Sequence, residues 1–108
     1  YTVTTPSRFH PVLSRSGKSN PLFVRSTPRD AQEWLNVAWR RARAKLHRDK
    51  ITIFGFRVAE PHHDGTPHWH LLIFSAPEDR PRIHACFVRY FLLGDNPDEP
   101  GAAKHRVT

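Results

Sequence analysis

The pattern of apolar and polar residues along this chain of 108 residues predicts alternating strands and helices. Residues 1–5 are rich in residue types that favour strands, and Pro6 ends that pattern. Two further runs, 51–60 and 68–75, are apolar and aromatic and flank a turn that has Asp64-Gly65 at its tip. Such a pair of runs is typical of a β-hairpin.

Apolar residues at helical spacing predict two helices. Thr27 is suited to cap the first helix, because Pro28 would then take the first helical position and Asp30 would lie in the first turn. That helix is expected to end near residues 47–49. The second helix is predicted over residues 82–93.

The last residues, 104–108, have the composition of a strand that begins there. The resulting order is strand, helix, strand, strand, helix, strand. It is the order of an α+β fold, ferredoxin-like or RRM-like, with an antiparallel sheet and helices on one face. A chain of this length forms one domain or part of one. Because the chain begins at Tyr1 and has no methionine, we expect residues 1–108 to be a partial domain of a longer protein.

The charge of the chain is strongly basic. Lysine and arginine total 17 and aspartate and glutamate total 10, which gives a formal net charge of +7. This balance favours an anionic partner such as nucleic acid, although a solvated basic surface without a partner explains it equally well. Every apolar run falls short of the roughly 18 residues of a membrane span. The single cysteine, Cys86, excludes an internal disulfide and a zinc site made of cysteines alone.

Metal-ligating side chains are concentrated in residues 60–70. His68 and His70 point to the same face of a strand and Trp69 to the other, because side chains alternate along a strand. Pairing across the turn brings Glu60 close to His68. Two imidazoles and a carboxylate that leave coordination positions open suit a catalytic ion such as Mg²⁺ or Mn²⁺, which acts as a Lewis acid on a phosphoryl oxygen. Two ordinary strand histidines with satisfied hydrogen bonds are the other interpretation.

The same strand carries apolar residues on both faces. Leu71 and Ile73 extend the face of Trp69, whereas Leu72 and Phe74 extend the face of the histidines. We therefore predict that this strand lies centrally in the sheet, with both sets of apolar side chains packed.

Basic and polar residues ahead of the first helix are candidates for contacts to a DNA backbone. All of them lie in a loop at 7–27, and loops of that length are usually functional or disordered. The candidates are Ser7, Arg8, His10, Arg15, Lys18 and Arg25. Trp34 and Trp39 of the first helix are predicted to pack in the core rather than to stack on bases.

Three stretches of the chain, at 1–10, 26–43 and 55–74, carry a resemblance to a known family. The third reads Gly55-Phe-Arg-Val-Ala-Glu-Pro-His-His-Asp-Gly-Thr-Pro-His-Trp-His-Leu-Leu-Ile-Phe74. Together they resemble the phage replication gene A proteins, initiator endonucleases of the HUH (His-hydrophobic-His) superfamily. The third stretch is similar to the metal-binding motif of that family along its whole length.

The resemblance implies a rolling-circle replication initiator, which nicks one DNA strand at an origin through attack of a tyrosine hydroxyl on a phosphate. The protein would stay joined to the 5′ end as a phosphotyrosine and leave a free 3′ hydroxyl. His68 and His70 are then metal ligands, and Glu60 is the third. The implied partners are single-stranded or origin DNA and a host replication helicase, and no membrane is implied as a partner. The implied location is the cytoplasm of a bacterial cell.

The tyrosines depart from the pattern of the family, in which the nucleophiles lie on a helix after the histidine strand. Tyr1 opens a strand, and Tyr90 lies on the apolar face of the second predicted helix, where it packs in the core. We therefore expect the nucleophile to follow Thr108 and this piece alone to be inactive.

Two alternatives stay open beside the nickase. One is a non-enzymatic, RRM-like basic module that binds nucleic acid, and the other is a structural or metal-binding domain within a larger assembly. An RRM-like binder carries aromatic side chains on the central strands where they face the nucleic acid. In this sequence His68 and His70 occupy that face.

Overall fold

A computed structural model of the chain describes residues 1–10, 23, 27–61, 65–95, 97–98 and 102–108. Three strands lie within these residues, namely β1 (Thr2–Val3), β2 (Phe54–Pro61) and β3 (Pro67–Phe74). The α-helices are α1 (Pro28–Arg48), α2 (Arg80–Val88) and the short α3 (Ala102–His105). Two 3₁₀ turns are found at Ser7–Phe9 and Pro77–Asp79, and a π-helical segment, Arg89–Leu93, continues α2. The predicted α+β class, an antiparallel sheet with helices, is confirmed.

The histidine strand β3 lies between β1 and β2 and is antiparallel to both. The sequence prediction of a central position for this strand is therefore confirmed. The hairpin pairs in register from Phe54 opposite Phe74 to Pro61 opposite Pro67. At the tip of its turn, Gly65 has a φ of 85°, a left-handed conformation that favours glycine.

Helix α1 begins where its capping residues predict. The Thr27 side chain accepts a hydrogen bond of 3.2 Å from the backbone N–H of Asp30, whose carboxylate accepts one of 2.8 Å from the N–H of Thr27. This reciprocal pair satisfies backbone donors that the first turn of a helix leaves open. The helix ends at the C-cap Asp49, within the predicted range, and Lys50 then takes a φ of 58°.

The helices pack on one face of β1 and β3, and the core lies between the helices and these two strands, whereas β2 is exposed along its whole length. Trp69 of β3 is 0% exposed there, and its indole N–H donates a hydrogen bond of 3.0 Å to the side-chain oxygen of Gln32 on α1. Trp34, Trp39 and Tyr90 pack against this core, as predicted. The buried cluster comprises Val3, Leu35, Ala38, Ala42, Leu46, Ile51, Trp69, Leu71, Ile83, Cys86, Phe87 and Phe91.

The opposite face of the sheet is open, and here the prediction for two residues of β3 is wrong. Leu72 and Phe74 are 56% and 44% exposed instead of packed. The reason is that both described α-helices of more than one turn lie on the Trp69 side. Phe54 and Phe56 on β2, which pair with Phe74 and Leu72, are 69% and 70% exposed on the same open face.

The end of the chain differs from the predicted strand over 104–108. Residues 102–105 form α3, which agrees with the high helix propensity of alanine at its first two positions. Only Val107 bridges to β1, opposite Val3. Thr2 and Thr108 exchange two backbone hydrogen bonds of 2.8 and 2.9 Å. The predicted strand over 104–108 is therefore reduced to one bridge at Val107.

Other boundaries shift by a few residues. The second helix begins at Arg80 rather than at residue 82 and changes from α to π geometry at Arg89. The first strand is shorter than residues 1–5, and β2 begins at Phe54 rather than at residue 51. Within the described ranges, no helix is both long enough and apolar enough to cross a bilayer.

Candidate metal centre

Three potential ligands converge on the open face of the hairpin. His70 Nε2 lies 3.0 Å from Glu60 Oε2 and 3.2 Å from His68 Nε2, and the latter lies 3.9 Å from Glu60 Oε2. The register explains the cluster, because Glu60 stands opposite His68 and His70 follows on the same face of β3. The Glu60 carboxylate reaches past its cross-strand partner and comes closest to His70.

These separations fit a single divalent ion. Two ligand atoms that are each about 2.1 Å from an ion lie about 3.0 Å apart at a right angle and about 3.4 Å apart at a tetrahedral angle. The observed separations of 3.0, 3.2 and 3.9 Å bracket those values. Among the described residues, these three form a group whose ligand atoms all lie within 4.8 Å of one another.

The environment leaves the centre open on one side. The His68 side chain is 13% exposed, whereas those of His70 and Glu60 are 43% and 54% exposed. Burial lowers the pKa of His68, and the neighbouring His70 lowers it further against the opposing effect of Glu60. His68 is thereby favoured in the neutral form, which is the form of imidazole that binds metals.

Thr2 orients His70 and was missed in the sequence. Its hydroxyl lies 3.0 Å from Nδ1 of His70, so Nε2 is the ring nitrogen that faces His68 and Glu60. A hydrogen bond on the second ring nitrogen is the usual way in which proteins fix a metal-binding histidine. The two residues are cross-strand partners of β1 and β3. The threonines of the first strand are the feature of the sequence that could have indicated such a partner for His70.

An open cleft of about 380 Å³ adjoins the metal centre on the side of His70. Its floor is apolar where Phe56, Val58 and Leu72 contribute. Phe74 also belongs to the central strand, so aromatic side chains do share the face of His68 and His70. In the sequence, this arrangement is indicated by the spacing of Phe54, Phe56 and Val58, which alternate in step with Glu60 and therefore share its face of β2.

Comparison with known proteins assigns the chain to a family. The sequence model described as bacteriophage replication gene A protein (GPA) matches residues 1–108. The chain belongs to this family. No solved structure matches it.

Individual relatives of this gene A family chain come from phages and prophage-like regions. The replication gene A protein of Escherichia phage 186 is 53% identical over 90 residues, 83% of this chain and 13% of that protein. The probable replication protein P12 of Pseudoalteromonas phage PM2 is 40% identical over 108 residues, 100% of this chain and 16% of that protein. A probable replication endonuclease from a prophage-like region of Salmonella paratyphi A is 42% identical over 102 residues, 94% of this chain and 12% of that protein. The chain thus spans 12 to 16% of the length of these relatives.

The predicted DNA-contact residues of the gene A family chain fall into two groups. Arg15, Lys18 and Arg25 lie outside the described residues. Ser7 begins the 3₁₀ turn after β1, and Nε2 of His10 lies 3.2 Å from the hydroxyl of Thr5. The charge of His10 also contributes, as the smallest of four causes, to the lowered pKa of His68. Their role in binding DNA stays a prediction.

Arg8 has a partner within the protein. Its guanidinium forms a bidentate ion pair with Asp95, with distances of 2.6 and 2.8 Å. The same carboxylate accepts a hydrogen bond of 3.1 Å from the indole N–H of Trp34, and the side chain of Arg106 donates to the backbone oxygen of Asp95. This network ties the turn after β1 to the segment after α2. A contact between Arg8 and DNA also stays a prediction.

Both tyrosines pack with the helices. The Tyr1 ring meets the Phe87 ring of α2 edge to face, and its hydroxyl lies 3.1 Å from Nδ1 of His84. Burial raises the pKa of the Tyr1 hydroxyl, which makes it a poorer nucleophile at neutral pH. Tyr90 lies in the π-helical segment, under the guanidinium of Arg89.

Proposed function

We propose that residues 1–108 are the metal-binding part of one partial HUH endonuclease domain that nicks a single DNA strand at a phage replication origin. The observation that carries this proposal is the convergence of Glu60, His68 and His70 on the open face of the hairpin. The family membership supports it, as does the name of one relative, a probable replication endonuclease. The net charge of +7 suits a nucleic-acid substrate.

The proposed reaction is a tyrosine transesterification. A tyrosine oxygen forms a bond to phosphorus while the bond from phosphorus to the 3′ oxygen breaks, and the proton of the tyrosine hydroxyl ends on that oxygen. The products are a 5′-phosphotyrosine link and a free 3′ hydroxyl. The nucleophile is a tyrosine of the whole protein outside residues 1–108, so this piece alone does not cleave DNA.

The residues of the centre have distinct roles in this proposal. His68, His70 and Glu60 hold Mg²⁺ or Mn²⁺, which when bound supplies Lewis-acid polarisation of a phosphoryl oxygen. Thr2 keeps Nε2 of His70 turned to the centre. The exposed sides of His70 and Glu60 leave room for a phosphate. For the whole protein, we also propose a host replication helicase as a partner and the cytoplasm as the location.

A second candidate function is a non-enzymatic, RRM-like module that binds nucleic acid. The exposed aromatic residues on the face of the histidines favour it, because RRM domains stack bases on such residues. The two functions differ in their need for a metal ion, since an RRM-like module binds without one.

The experiment that tests the proposed metal centre is a titration with Mn²⁺ followed by NMR, because this ion is paramagnetic and broadens signals of nearby nuclei. We expect the signals of Glu60, His68 and His70 to vanish first. The double variant His68→Ala/His70→Ala should lose this selective broadening. His47→Ala, which removes an exposed histidine from α1, is the matched control and should behave like the natural chain.

Two outcomes would contradict the metal centre. Broadening that is equal in the double variant and in the control would mean that the ion binds elsewhere. An absence of selective broadening at millimolar Mn²⁺, in a chain whose NMR spectrum shows a folded hairpin, would move the RRM-like module ahead.

A further inference from the structure

We propose that the open apolar face of the hairpin binds unpaired bases of single-stranded DNA, next to the phosphate at the metal centre. We call this surface the hairpin platform. This inference rests on the proposed function and adds to it the residues that recognise the strand. The platform consists of Phe54, Phe56, Val58, Leu72 and Phe74.

The platform is one continuous surface. Phe54 pairs with Phe74 and Phe56 pairs with Leu72, so their side chains share one face of the sheet. The rings of Phe54 and Phe74 stack at a centroid distance of 5.3 Å and an angle of 16°. Exposure ranges from 44% to 70% across the platform. A contiguous apolar patch of this kind usually marks a binding site.

The platform joins the metal centre without a gap. Val58 stands opposite His70 in the register, and both line the open cleft together with Phe56 and Leu72. A ligand that approaches His70 along this cleft therefore lies on apolar side chains. Leu72 follows His70 on the same face, about 7 Å further along the strand.

A single strand of DNA matches both the metal centre and the hairpin platform. Each nucleotide joins an anionic phosphate, which suits a divalent ion, to a flat base, which stacks on aromatic side chains. In duplex DNA the faces of the bases are already stacked, so they are not offered to the platform. The net charge of +7 opposes the docking of a second copy of this chain and attracts a polyanion.

The test is fluorescence anisotropy with a labelled single-stranded oligonucleotide, an abasic oligonucleotide of the same length and a duplex. Phe56→Ala should weaken binding of the single strand about tenfold, which lies within the range for the loss of one stacked base. Phe56→Trp should restore the affinity. Since Phe56 is 70% exposed, its truncation leaves the buried core intact.

The matched control is Leu93→Ala. Leu93 is 58% exposed, but it lies in the π-helical segment outside the platform. This variant should bind all three DNAs like the natural chain. The abasic oligonucleotide and the duplex should bind Phe56→Ala and the natural chain equally well.

Several results would overturn the platform. Equal binding of the single strand by Phe56→Ala and Leu93→Ala is one, and a loss that is equally large for the abasic oligonucleotide is another. Sedimentation that shows a dimer dissociated by Phe56→Ala would assign the surface to a second copy of the chain instead. Selective Mn²⁺ broadening retained in Phe56→Ala would confine any such failure to the platform. Base-dependent binding without Mn²⁺ broadening in the natural chain would instead contradict the proposed metal-dependent function.

Discussion

The two faces of β3 differ in what covers them, although their sequences are similarly apolar. Trp69 and Leu71 on one face are 0% and 4% exposed beneath the helices, whereas Leu72 and Phe74 on the other are 56% and 44% exposed. The covered face contributes to stability through apolar burial. The open face carries the candidate metal ligands at one end and exposed apolar residues at the other. One strand thus places its buried apolar residues on one side and the candidate site on the other.

Truncation on the covered face should give the largest effect on stability. We expect Trp69→Ala to destabilise the chain by about 3–5 kcal/mol, because it removes a fully buried aromatic side chain and leaves a cavity. Leu72→Ala on the open face should change the free energy of unfolding by about 0.5 kcal/mol or less. Urea unfolding followed by circular dichroism measures both. Similar losses for the two variants would mean that the open face is covered in solution.

The sequence alone predicts the parts of the fold whose signals are local. Thr27 and Asp30 lie three residues apart and set the start of α1, and the period of two along β3 separates His68 and His70 from Trp69. The exposure of Leu72 is not predictable in this way, because a strand that is apolar on both faces does not reveal whether a second layer of structure exists.

Contacts between distant parts of the chain could not be predicted from the sequence either. Arg8 and Asp95 are 87 residues apart, and Thr2 and His70 are 68 residues apart. Each pair depends on the completed tertiary structure. The proximity of the candidate ligands was predictable because Glu60 and His68 belong to one hairpin, whose register follows from the turn.

Each side of the sheet also has its own polar cluster. The cluster on the helix side, formed by Arg8, Trp34 and Asp95, should contribute to stability. Hydrogen bonds from Arg8 hold the pKa of Asp95 below its ordinary value of 3.8. A lowered pKa in the folded state stabilises the protein above that ordinary value, and the contribution is lost as the pH falls towards the folded pKa. We expect Asp95→Asn to cost about 1–2 kcal/mol at pH 6 and clearly less at pH 3.

Urea unfolding of the natural chain and of Asp95→Asn at both pH values measures this difference. Glu33→Gln is the matched control, because Glu33 forms an exposed ion pair with Arg40 at 3.4 Å. Such surface pairs contribute about 1 kcal/mol or less. A gap between the natural chain and Asp95→Asn that does not narrow on acidification would show that the Asp95 charge does not stabilise the fold.

The polar cluster on the open side should affect metal affinity rather than stability. Thr2→Val preserves the shape of the side chain but removes the hydroxyl that lies 3.0 Å from Nδ1 of His70. We expect the affinity for Mn²⁺ to fall about tenfold, the lower end of the range for partners that orient a metal ligand. Because this hydroxyl is only partly buried, the free energy of unfolding should change by about 1 kcal/mol or less.

Calorimetric titration with Mn²⁺ and urea unfolding of the Thr2→Val variant separate the two effects. The control is Thr52→Val, at an exposed position outside the sheet. A Thr2→Val variant that loses stability but binds Mn²⁺ as tightly as the control would make this hydroxyl part of the fold and not of the metal centre.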